Sequence, residues 1–64
     1  MTLKNFKAYA AAQGITPDSP WTEIKDCAED FYTIHRPDNS KTRDGSDRYY
    51  ERMSNWSENM ADRF

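Results

Sequence analysis

The sequence predicts a small all-α fold of three helices. Three observations carry that prediction. The chain has 64 residues, which suits one domain that buries only about 60% of its unfolded surface. Apolar residues recur at helical spacing in three segments. Between those segments stand Gly14, the turn Thr16–Pro17–Asp18–Ser19–Pro20 and a polar stretch opening at Pro37, all of them residues that stop or cap helices. A single domain spanning residues 1–64 is therefore expected.

The first helix is expected from about residue 2 to 13. Thr2 is a good N-cap, and Leu3, Phe6, Tyr9 and Ala10 form its apolar stripe. Gly14 closes it as the glycine just past the C-cap, with Ile15 placed for a hydrophobic contact back onto the helix. The second helix is expected over 20–35. Ser19 or Asp18 is read as its cap and Pro20 as its first residue. Trp21, Ile24, Ala28 and Phe31 line one face, flanked by Cys27 and Ile34. It ends near His35, because Pro37 drives Arg36 out of the helical region. Residues 36–46 are read as an exposed loop. The third helix is expected over 47–62, capped by Ser46 or Asp47, with Tyr50, Met53, Ser57 and Met60 in one line and Tyr49, Trp56 and Phe64 beside it.

Composition narrows the function. The chain holds 9 basic and 11 acidic residues, a formal net charge of -2. A general nucleic-acid binder usually carries a basic surplus, so DNA binding is disfavoured. Arg43, Arg48 and Arg52 are weighed as phosphate contacts, but their interleaved acids read as a solvated face. One cysteine, Cys27, excludes an internal disulfide framework and sits on the apolar face as a small core residue. Cys27 and His35 are roughly 12 Å apart along a helix, too far for a catalytic dyad, and one His with one Cys does not make a zinc site. No metal, cofactor or enzymatic activity is expected. No apolar run approaches the roughly 20 residues that span a bilayer, and the first residues lack a signal-peptide core. A cytoplasmic monomer without membrane attachment is the expectation.

Gly14–Ile15–Thr16–Pro17–Asp18, Glu23–Ile24–Lys25, Pro37–Asp38 and the line Tyr50, Met53, Trp56–Ser57, Met60 stand at spacings that need no gap from Gly14 to Met60. In this the chain resembles the J-domain of DnaJ-like Hsp70 co-chaperones. The resemblance implies an antiparallel helix pair joined by the Pro-Asp loop, with the first helix packed across it. It also implies a protein partner, Hsp70, contacted by the second helix and the loop. On that ground the expected partner-binding residues are Lys25, Asp26, Glu29, Asp30, His35, Arg36, Pro37 and Asp38.

Two departures shape the functional expectation. Arg36 occupies the place of the family's signature histidine, and His35 stands one position early; arginine is longer and always charged. Asp26, Glu29 and Asp30 occupy places where the family usually carries Lys or Arg, and like charges facing each other slow association. The reading is a non-catalytic interaction module, a degenerate regulator or adaptor of an Hsp70 system with impaired ATPase stimulation. The alternative is a small inhibitor or interaction protein that reuses the fold against an unrelated target. Ala28 stands where the family has a large aromatic and Trp56 where it has Ala, a compensating swap that would conserve core volume.

Overall fold

A computed structural model describes residues 2–39 and 41–64. It holds three helices: α1 (Leu3–Ala12), α2 (Trp21–His35) and α3 (Arg43–Arg63). Among the described residues there is no strand. Among the described residues no helix is long and apolar enough to cross a membrane.

The termini of α1 follow local chemistry. Thr2 is extended, and its hydroxyl accepts from the Asn5 N–H. At the other end the Ile15 N–H reaches the Ala10 carbonyl at 2.8 Å and the Gly14 N–H reaches Ala11 at 3.1 Å. That pairing is a Schellman closure, and it needs Gly14 at φ +79°, where a Cβ is disfavoured.

The start of α2 corrects the expected cap. Pro20 is itself the N-cap and makes no side-chain cap bond. Ser19 instead turns its hydroxyl to the Thr16 N–H at 3.1 Å and stabilises the preceding turn. The larger correction is α3, which begins four residues before the expected 47. Thr42, not Ser46 or Asp47, is the cap, and its Oγ1 accepts from the Gly45 N–H at 3.1 Å. The connection is therefore 36–42 rather than 36–46. Gly45 sits in the first turn, where its cost of about 1 kcal/mol relative to Ala is offset by the cap.

Helices α2 and α3 run antiparallel. Trp21 at the start of α2 bonds Asp62 at the end of α3. Thr33 lies against Met53, and Arg36 at the end of α2 meets Tyr49 near the start of α3. Each step along α2 is thus matched by a reverse step along α3. Helix α1 lies against one end of this pair, where Phe6 contacts Phe31, Trp56 and Phe64 at ring centroid distances of 6.0, 6.0 and 5.4 Å.

The core consists of Phe6, Ala10, Ile24, Cys27, Ala28, Phe31, Met60 and Ala61. Leu3, Tyr9, Ile15, Trp56 and Phe64 close over it. Rings and Met fill the interior of a chain with one Leu and no Val. Ala28 is fully buried, and Trp56 packs half-buried against the cluster that contains it. Three residues assigned to the apolar face are more open than expected: Trp21 is 43% exposed, Ile34 59% and Tyr50 57%. Ser57 is fully buried, and among the described residues its Oγ has no hydrogen-bond partner.

Candidate functional site

The turn between α2 and α3 positions a cleft. Pro37 ends α2, leaving Arg36 as its C-cap at φ −137°, ψ 74°. The last carbonyls of a helix need partners outside it. One comes from α3: the Tyr49 hydroxyl donates to the Arg36 carbonyl at 2.6 Å. Below it, the buried Tyr32 ring meets Tyr49 edge-on at 5.7 Å. These contacts pin the end of α2 to the second turn of α3.

The cleft so formed has a volume of about 520 Å³ and is lined by Arg36, Pro37, Asp38 and Asn39 from the connection, Tyr32 from α2, and Gly45, Arg48, Tyr49 and Arg52 from α3. Arg48 and Arg52 are four apart and share a helix face. Arg36, Arg48 and Arg52 are exposed residues that border this one cleft, where the fold also presents the N-terminal end of α3, itself partly positive. The ion pair formed among the described residues, Lys25–Glu29, lies elsewhere on α2 and does not involve these arginines.

The expected partner-binding residues lie along α2 and in the connection that follows it. Arg36, Pro37 and Asp38 line the cleft. His35 is exposed in the last turn of α2, its ring 4.3 Å from that of Phe31. Lys25 and Glu29 pair with each other, and that bond, with Glu58 and Asp26 nearby, holds the Lys25 ammonium above its ordinary pKa. Asp26 and Asp30 occupy the adjacent face of α2. With Glu23, Gln13, Ile15 and Cys27 they line a second, acidic depression of about 340 Å³. At about 100° per residue, Lys25, Glu29, Asp26 and Asp30 fall within an arc of about 140°, with Asp26 and Glu29 neighbours at i, i+3, so the four share one side of α2.

Cys27 is buried in the core, and burial, then the Asp30 charge, pushes its thiol pKa up. A protonated, enclosed thiol is a poor nucleophile. Among the described residues no group of His, Cys, Asp and Glu is arranged to hold a metal ion.

Sequence reasoning named the connection but missed most of the cleft's α3 wall. Arg48 and Arg52 are exposed, as a solvated face requires, yet both line the cleft; Gly45, expected in the loop, lies in the first turn of α3, and Tyr49 rather than Tyr50 faces α2. The side chain of Arg43, weighed with Arg48 and Arg52, lies outside those described. The available signal was the i, i+4 spacing of Arg48 and Arg52 opposite a Pro-terminated helix, which becomes legible once Thr42 is taken as the cap. No family model, curated protein or solved structure matches the chain.

Proposed function

We propose that the chain is a non-catalytic protein-binding module, a degenerate J-domain-like regulator or adaptor of an Hsp70 chaperone system with impaired ATPase stimulation. The observation that carries the reading is the presentation of Arg36–Pro37–Asp38 on the rim of a cleft, at the turn of an antiparallel helix pair. A fixed backbone under that tripeptide lowers the ordering cost of binding. The proposal includes a monomer acting in the cytoplasm, supported by a lone buried cysteine and no disulfide framework, with neither nucleic acid nor membrane as partner.

A second reading is favoured by a specific feature. Glu23, Asp26 and Asp30 give one face of α2 an acidic depression, opposite in sign to what an acidic Hsp70 surface attracts. On this reading the module is a small inhibitor or interaction protein directed at an unrelated target.

One titration separates the two. The ¹⁵N-labelled chain is titrated with ATP-bound Hsp70 and followed by amide shifts. Shifts on α2 and residues 36–38, with little ATPase stimulation and a gain on Arg36→His, support the Hsp70 reading. An unchanged spectrum at high Hsp70 concentration overturns it in favour of another protein target.

A further inference from the structure

We propose that the cleft at the α2–α3 connection docks an acidic peptide segment of a partner protein, its carboxylates held by Arg36, Arg48 and Arg52. The inference rests on the protein-binding reading and names the chemistry that the cleft selects.

Three features of the cleft select carboxylates. First, three exposed arginines, one at the end of α2 and two on successive turns of α3, border one volume of about 520 Å³, within the range of ligand clefts. Arginine presents a planar fork of donors that pairs carboxylates in bidentate fashion. Second, Arg48 and Arg52 at i, i+4 repel each other in the free chain; an anion between them removes that repulsion. Third, the cleft is preorganised. The Tyr49 hydroxyl fixes the Arg36 backbone, the Thr42 cap fixes the first turn of α3, and the Tyr32–Tyr49 ring pair gives the wall an apolar surface for the stem of a glutamate.

A peptide fits better than a nucleic acid. The basic lining is local, with Asp38 at its edge, and the chain as a whole is at -2. A nucleic-acid strand bears a charge about every 3.4 Å. Running along a molecule 38 Å long, it would leave the arginines and meet the acidic face of Glu23, Asp26 and Asp30. A short acidic segment satisfies the arginines and ends before that face.

The test uses the full ¹⁵N-labelled chain and a hexaglutamate peptide, acetylated and amidated so that only side-chain carboxylates are offered. Hexaglutamine and a 12-nucleotide oligothymidylate are titrated in parallel. The expected result is amide shifts confined to Arg36, Gly45, Arg48, Tyr49 and Arg52, with affinity falling about tenfold between about 20 and 200 mM salt. Hexaglutamine should give no shift. Arg48→Glu with Arg52→Glu should weaken hexaglutamate binding at least about tenfold. If that double variant loses its fold by circular dichroism, Arg48→Gln and Arg52→Gln separately should each weaken binding about threefold. Equal binding of hexaglutamine, shifts outside the cleft, or no shift at millimolar hexaglutamate would overturn the proposal, as would tighter binding of oligothymidylate. Its failure is distinguishable from failure of the protein-binding reading: Hsp70-induced shifts on residues 36–38 without hexaglutamate binding would remove the acidic ligand and leave the interaction module standing.

Discussion

Helix α3 lies in two different environments. In its second half Ser57, Met60 and Ala61 are buried, and Trp56 and Phe64 press on Phe6. In its first half, among the side chains described from Gly45 to Arg52, none is buried. The cause is length. Helix α1 has 10 residues and α3 has 21, about 15 and 31 Å, so α1 covers only one end of the α2–α3 pair. The covered end holds the three-helix core. The open end is held by the Tyr32–Tyr49 ring contact, the Tyr49–Arg36 hydrogen bond and the Thr42 cap. The difference shows how a chain this short separates stability from recognition. Packing is concentrated where three helices meet, and like-charged arginines gather where little packing depends on them.

The comparison can be broken most severely at the covered end. Phe6 is fully buried among three rings, and Phe6→Ala should cost about 3–5 kcal/mol. A domain of this size has roughly 3–10 kcal/mol in total, so denaturant melts should show a partly or wholly unfolded variant. A loss below about 1 kcal/mol would mean that the core is not centred there. The next effect has the opposite sign. Ser57 buries a hydroxyl without a partner, a desolvation cost of about 1–3 kcal/mol. Ser57→Ala should therefore raise stability by about 1–2 kcal/mol in the same melts. The smallest effect belongs to the open end. Tyr49→Phe keeps the ring against Tyr32 and removes the bond to the Arg36 carbonyl. It should cost about 1 kcal/mol or less, while the amide resonances of residues 36–39 move more than those of the core.

How far the sequence revealed this depends on the range of each interaction. The closure at Gly14–Ile15 depends on neighbours within six residues, and the expected helix end matches what the structure holds. The all-α class was equally legible, because apolar spacing and breaker residues are local signals; the antiparallel pair was an implication of the resemblance, and the structure holds it. The start of α3 was misread because Gly45 and Ser46 have loop chemistry, whereas Thr42 caps across them. That shift matters for facing: Tyr49 meets Tyr32 and Tyr50 turns out to solvent, which only the docked α2 decides. The arginine cleft lay further from view. Arg36 comes to line one cleft with Arg48 and Arg52 only after the helix pair closes, and the i, i+4 spacing of the two α3 arginines is a weak local hint of it.

The most direct test of this account is native-state hydrogen exchange along α3, read amide by amide by NMR. The amides of residues 57–63 should exchange at rates near those set by global unfolding, and those of residues 46–52 through far easier local opening, with the boundary between Arg52 and Trp56. Uniform protection along all of α3 would contradict the division into a packed end and an open end.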